Sequence, residues 1–441
     1  MQQGIIKAFQ GLSLRPFFFL LRVIFLSFSS GIPFLLTLST LSVWLSELGI
    51  KPSIVGLMAM STLPYCFKFF WGAVVDRVSL PWFGAWMGKR RSWMLLSQLC
   101  LACSIIMLGA THPEQHLFFT AGLAFLVCLF AALQDVVVEA YRIEMTPKGF
   151  EGTSASATYL GFRLGMMASG AGALYLASWL SWFHVYALMA CCLGVGVLTC
   201  LLSPNVAQAP LQLMKPAPQQ MPEKETLWAS FLEGGRDLFQ AYDWRIICGF
   251  ILFYKVGDTV LNVMNTPFLL SIGFNKLEIA QIAKFFGISA MIFGGLFGGV
   301  LLNRFGILTG LLLCSALQIL SCLMFFVQSL VGHNLWVLTV VIGTENFTCG
   351  LGASAFIAYI SNLCQTNHVA LHFAILTSVA SLMRIMLSGL AGLAADVLSW
   401  DAFFLCASFC CVPSMLLLFQ FTEHFQGKTK MQNHYASNRA A

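Results

Sequence analysis

Charge is what this sequence has least of. Asp, Glu, Lys and Arg together make up 10% of its 441 residues, against roughly 25% in a soluble domain. A chain so poor in charge cannot clothe a globular surface in solvated side chains, which places most of it in hydrocarbon. Walker-type phosphate loops are absent, as is any Ser/His/Asp grouping, and the eight histidines fall in expected loops or at helix ends. No enzyme, no ATP hydrolysis and no cofactor are therefore expected. The 15 cysteines lie in apolar stretches such as Cys191–Cys192 and Cys410–Cys411. Cys100 and Cys103 form a CxxC with no second pair to complete a metal site, so neither a disulfide framework nor a metal is implied. The N-terminal apolar run lacks a small-residue cleavage site and reads as a retained first helix.

What the chain does have is long apolar runs. Hydrophobic residues reach 58%, Phe occurs 40 times and the mean hydropathy is +0.81. A membrane-crossing helix needs about 20 apolar residues. On that rule six spans are predicted near 16–43, 53–75, 92–110, 117–143, 153–178 and 183–202. Six more follow near 246–271, 279–302, 307–331, 335–361, 371–396 and 402–421. The fold class expected is thus an all-α membrane protein of about twelve helices in two six-helix halves, 1–202 and 244–421. A Pro-rich linker at 203–243 separates them and a tail at 422–441 ends the chain. Within the linker, Trp228 to Tyr242 is amphipathic and suits the membrane surface. Of 24 Lys and Arg, only Lys51 and Lys276 fall in loops on the side opposite the linker. This asymmetry puts both termini in the cytoplasm and accounts for the net charge of +6 without nucleic acid.

The halves repeat each other. Gly72-Ala73-Val74-Val75-Asp76-Arg77, followed by Gly88-Lys89-Arg90-Arg91, has its counterpart in Gly299-Val300-Leu301-Leu302-Asn303-Arg304. Arg163, Ser169-Gly170 and Leu180-Ser181-Trp182 are matched by Arg384, Ser388-Gly389 and Leu398-Ser399-Trp400. Two matches in equivalent order point to duplication. In the first loop, Gly72 permits close helix approach, and Asp76 can cap a neighbouring helix or pair with a loop cation. Gating by Gly72, Asp76, Arg77, Asn303 and Arg304 is the reading favoured over a simple positive anchor.

Charges inside the spans cost about 2.5–3.5 kcal/mol each on insertion scales and ask for partners or a wet cavity. Helix seven carries Lys255, Asp258, Asn262 and Asn265 on one stripe. Helix four carries Gln134, Asp135, Glu139 and Arg142; Asp135 is a candidate proton carrier, whereas Glu139 reads equally as a partner of Arg142. Glu144 reads as interfacial, and Lys68 as close enough to the helix end to snorkel. Glu345 and Asn346 form a third polar site, where Glu345 either pairs with Arg384 or Lys284 or is protonated. Together with Arg163 these residues line the expected pathway, suited to a polar anionic solute. Ser29-Ser30-Gly31-Ile32-Pro33 either exposes backbone to a cavity or kinks the first helix.

Two six-helix halves with paired Gly-x-x-x-Asp-Arg loops resemble the major facilitator superfamily. Further segments resemble its AmpG-type muropeptide permeases: Ser30 to Thr37, Phe67 to Trp71, Gln134-Asp135-Val136, Tyr159 to Met166, Tyr254-Lys255-Val256-Gly257-Asp258, and Glu345-Asn346. The resemblance implies proton-coupled import of GlcNAc-1,6-anhydroMurNAc, with or without peptide, across a bacterial inner membrane for cell-wall recycling. Import of ferric siderophores by similar permeases is the alternative. The expected partners are this small solute, protons and the lipid bilayer, with no obligate protein partner. It also implies that Gln134, Asp135, Lys255 and Asp258 carry function. The chain departs from the family pattern at Ser42, Glu139 and His372, which touch expected sugar contacts.

Overall fold

In a computed structural model the structure describes residues 14–51, 54, 58–80, 87–147, 149–205, 232–238, 244–275, 278–364 and 368–418. Among these, helix dominates and no strand occurs. The first helix, α1 (Leu14–Leu35), passes through a π-helical turn at Leu36–Thr40 into Leu41–Glu47. After a 3₁₀ turn at Ala59–Tyr65 come α2 (Phe69–Arg77), α3 (Lys89–Gly109) and α4 (Leu117–Met145). Next, α5 (Glu151–Met167) continues through a second π-helical turn, Ala168–Gly172, to Ala177. The series goes on with α6 (Trp182–Leu202), α7 (Trp244–Ser271), α8 (Gly287–Phe305, entered by a π-helical stretch Ile279–Phe286) and α9 (Ile307–Val331). It ends with α10 (Leu335–Leu363), α11 (Val369–Val397) and α12 (Trp400–Leu418).

Ten of these are long and apolar enough to cross a membrane among the described residues. The exceptions, α2 and α5, sit where the second and fifth spans are expected. Pro64 and the 3₁₀ turn leave α2 short. Ser154, Ser156, Thr158, Gly161 and Arg163 dilute the apolar run of α5. Phe118, Trp336 and Val397 are among many exposed large apolar side chains, which water would penalise and lipid does not.

Two compact units emerge: residues 1–238 with 358–378, and residues 239–357 with 379–441. Residues 369–378 of α11 and 358–363 of α10 thus belong to the unit that holds α1 to α6. In that unit Leu101, Ile105, Leu123, Val127, Tyr186 and Met189 share one core. In the other, Leu261, Phe268, Phe325 and Phe404 do so.

Small residues set how closely the helices approach. A Cβ at Gly31 would collide with the Phe162 carbonyl of α5, and one at Gly161 with the Ile24 carbonyl of α1. Backbone contact of this kind is what membrane helices exploit in the absence of a hydrophobic drive. The Ser29–Pro33 stretch does not break the first helix. It continues past Pro33, the Thr37 hydroxyl donates to the Pro33 carbonyl at 2.8 Å, and Ser29 donates to Leu26 at 2.7 Å. Its Gly31 serves packing, not a cavity-lining gap.

Candidate functional site

The expected residues gather in three places. The first is on α4. Gln134 is buried, and its amide donates to the Ser29 hydroxyl at 2.8 Å. One residue on, Asp135 Oδ2 accepts from Lys68 Nζ at 2.7 Å. Lys68 is only 7% exposed, so it does not snorkel; its stem turns inward to meet the carboxylate. A flexible side chain near a helix end can point either way, and sequence does not tell which. One turn further, Glu139 is held by Arg142 at 2.6 Å. Arg142 is fully buried and also donates to Ser361 Oγ at 2.6 Å. Of the two readings of Glu139, the pairing with Arg142 is the arrangement present. Arg163 stands on α5 with its guanidinium 5.0 Å from the Tyr159 ring.

The second place surrounds Asp76, at the end of α2. Its carboxylate accepts from the backbone N–H of Leu371 at 2.8 Å and of Ala370 at 3.3 Å. It therefore caps α11, where the helix leaves its first N–H groups unpaired. Gly72 lies against the same turn: a Cβ there would strike Leu371 and Ala370. Arg90 Nη2 donates to Asp76 Oδ1 at 2.6 Å, and its Nε donates to Glu144 at 3.0 Å. Lys89 donates to the Asp76 carbonyl. Glu144, expected as a plain interfacial charge, is the half-buried third member of this triad. Capping and pairing, posed as alternatives for Asp76, occur together. The same turn of α11 carries His372, which is buried and donates through Nε2 to the Gly234 carbonyl of the short helix at 232–238 at 2.9 Å. His372 is thus engaged with the linker. Ser42 donates to the Leu38 carbonyl of its own helix at 2.6 Å.

The third place joins α7 to α10. Asp258 Oδ2 lies 3.6 Å from Lys255 Nζ. Its Oδ1 accepts from the Asn262 amide at 3.1 Å and from the Cys349 thiol at 2.8 Å. Lys255 Nζ lies 4.4 Å from the centre of the Phe356 ring, which stacks on Tyr254 at 5.6 Å. The Tyr254 hydroxyl donates to the Gly352 carbonyl at 2.9 Å. Glu345 and Asn346 are both buried, and the amide of Asn346 donates to the Glu345 carboxylate.

The remaining expected residues stand apart. Arg384 is exposed on α11, and Asn303 and Arg304 are exposed at the end of α8. The second loop of the repeat therefore lacks the buried setting of the first. Arg77 is half-buried at the end of α2. Lys284 lies on the stretch leading into α8, with its side chain outside the described residues, as are Lys276, Trp228, Tyr242 and the tail at 422–441. Sequence reasoning missed Lys68, Arg90, Glu144, Cys349 and Phe356 as partners. Tyr254 adjoins Lys255 in sequence and could have been found from that, whereas nothing near Phe356 in sequence is charged. Cys349 carries no such signal.

The described residues hold no cluster of His, Cys, Asp and Glu fit for a metal ion. Charged side chains within membrane-spanning helices are rare and sit where they find partners, as the two Lys–Asp pairs do here. Comparison with known proteins agrees. The family model of the Major Facilitator Superfamily matches residues 23–344 and 246–434. AmpG 3 of Rickettsia prowazekii (strain Madrid E) is 32% identical over 420 residues, 94% of this chain and 98% of that protein. The anhydromuropeptide permease of Escherichia coli (strain K12) is 31% identical over 398 residues, 90% of this chain and 78% of that protein. Among solved structures, the proton:xylose symporter XylE superposes with a TM-score of 0.69 at 11% identity, covering 92% of this chain and 95% of that one; the likeness is one of fold. The chain is a multi-pass membrane protein of the major facilitator superfamily, and within that superfamily it belongs to the AmpG-type permeases.

Proposed function

We propose that this chain is a proton symporter that imports anhydromuropeptides, GlcNAc-1,6-anhydroMurNAc with or without its peptide, from periplasm to cytoplasm for cell-wall recycling. Its place is the bacterial inner membrane, with both termini in the cytoplasm. The observation that carries the substrate is the 31% identity to the E. coli anhydromuropeptide permease over 90% of the chain. Two Lys–Asp pairs, Lys68–Asp135 and Lys255–Asp258, support the coupling. An intramembrane carboxylate beside a cation can exchange that partner for a proton, because the low dielectric makes either neutralisation far better than a bare charge. The Asp76 cap supports a gate. While it holds, the first turn of α11 is fixed to α2; when it opens, that turn is released.

Membrane vesicles test the coupling. An inward proton gradient should drive accumulation of the labelled disaccharide, and a protonophore should abolish it. Asp135→Asn and Asp258→Asn should each lose gradient-driven accumulation, with at least one retaining substrate exchange. Full accumulation in both variants would make these acids structural and end the proton reading at these sites.

A further inference from the structure

The two Lys–Asp pairs differ in a way that assigns them different work. Lys68 and Asp135 are closed on each other at 2.7 Å. Lys255 and Asp258 are one helical turn apart, ideally placed to close, yet stand at 3.6 Å. The cause lies on the facing helix. Three positions of α10, Cys349, Gly352 and Phe356, recur at steps of three and four and so share one face. Each grips a different residue of α7. Cys349 donates to Asp258 Oδ1 at 2.8 Å, and Asn262 reinforces that orientation at 3.1 Å. Gly352 accepts from Tyr254 at 2.9 Å, which seats the tyrosine ring flat on Phe356. Phe356 in turn draws the Lys255 ammonium to 4.4 Å from its ring centre. Carboxylate and ammonium are thus each pulled toward α10, and away from full contact with each other.

The two kinds of grip leave different capacities behind. A carboxylate partner takes up the N–H donors of an ammonium, whereas a ring face attracts the charge without consuming all three. The side chains of Lys255 and Asp258 retain 15% and 25% exposure, so the pair is reachable. We propose that Phe356 and Cys349 are positioning residues that keep the Lys255–Asp258 pair open, so that Lys255 receives a carboxylate of the transported solute. This rests on the transport reading above and gives it a specificity element: the solute class is a carboxylate-bearing sugar, its acid group held by Lys255.

The test is equilibrium binding of GlcNAc-1,6-anhydroMurNAc to the purified full-length protein in lipid nanodiscs. Phe356→Leu and Cys349→Ala should each weaken binding about fivefold to tenfold, the scale of one cation–π contact or one charge-assisted hydrogen bond. Phe356→Tyr and Cys349→Ser keep the ring and the donor, and should bind within about twofold of the unmodified protein. A merely structural role would not yield the next result. Adding Asp258→Asn to Cys349→Ala should restore binding, because the released carboxylate that closes on Lys255 no longer carries charge. Unaltered binding in both Phe356→Leu and Cys349→Ala would overturn the inference, as would a double variant no better than Cys349→Ala. If the unmodified protein binds no disaccharide, the transport reading falls and takes this inference with it. If it binds and the variants match it, only the inference falls.

Discussion

At the scale of single residues, the charges inside this protein are set in networks whose members come from distant parts of the sequence. Arg142 is the plainest case: buried, it serves Glu139 on its own helix and Ser361 at the end of α10. Removing one partner of a buried pair leaves the other charge uncompensated. Arg142→Ala is expected to cost about 3–5 kcal/mol, read as a lower unfolding temperature in nanodiscs, whereas Arg142→Lys keeps the charge and loses less. An unfolding temperature unchanged in Arg142→Ala would show that the pair is not buried in the membrane. Lys68 makes a second prediction. Lys68→Met deprives Asp135 of its cation, so transport should fall at least tenfold with normal membrane abundance, while Lys68→Arg retains a measurable fraction. Unaltered transport in Lys68→Met would remove Asp135 from the pathway. The acids of both sites were legible in the sequence because a charge in an apolar run is conspicuous. Their partners were less so: Arg90 and Glu144 meet across 54 positions, and Cys349 looks like any other small membrane residue.

Helices are the next scale, and here the sequence says more about where they lie than how they pass through the membrane. Apolar run length located ten spans, because a bilayer asks about 20 apolar residues of a crossing helix; α2 and α5 fall short of that test among the described residues. It could not locate the π-helical turns at Leu36–Thr40, Ala168–Gly172 and Ile279–Phe286. These depend on hydrogen-bond register, not on composition. It also treated Gly31 as a possible break, although its role is contact between α1 and α5. That contact can be tested directly. Gly161→Val would place a branched side chain into the α1 backbone, and should abolish folded protein in the membrane, whereas Gly122→Ala, with open space around it, should be neutral. Just before the π-helical stretch leading into α8, Asn275 and Glu278 cap each other, side chain to backbone N–H at 2.9 Å in both directions. The backbone N–H of Asn275, then His333, hold the Glu278 carboxyl below its ordinary range. A depressed carboxylate stabilises above its unfolded value and ceases to do so as pH falls through the folded one. Amide exchange at Asn275, whose N–H the carboxylate accepts, should therefore be slow at neutral pH and accelerate, beyond the intrinsic pH trend, only once acidification passes that lowered value; an acceleration at neutral pH would contradict the cap.

For the whole molecule, duplication is visible in the sequence but its two copies are not equal in the structure. Asp76 is buried and caps α11, whereas Asn303 and Arg304 are exposed. A repeat motif records common ancestry and loop position; how deeply each copy is buried depends on what packs against it. Asp76→Ala is expected to free the first turn of α11 and cost about 1 kcal/mol of capping. The proposed orientation rests on charge asymmetry, which would put Lys51 and Lys276 on the periplasmic side. Alkaline-phosphatase fusions after Ser46 and Gly273 should be active and one after Arg91 inactive; the reverse would invert the proposed direction of transport. The substrate itself is decided by one measurement. The chain is expressed in bacteria lacking their own muropeptide permease, and anhydromuropeptides inside the cells and in the medium are followed by mass spectrometry. Restored cytoplasmic anhydromuropeptide, lost again in Lys255→Ala, is the expected result. Continued loss of anhydromuropeptides to the medium, with the protein abundant and correctly inserted, would contradict it.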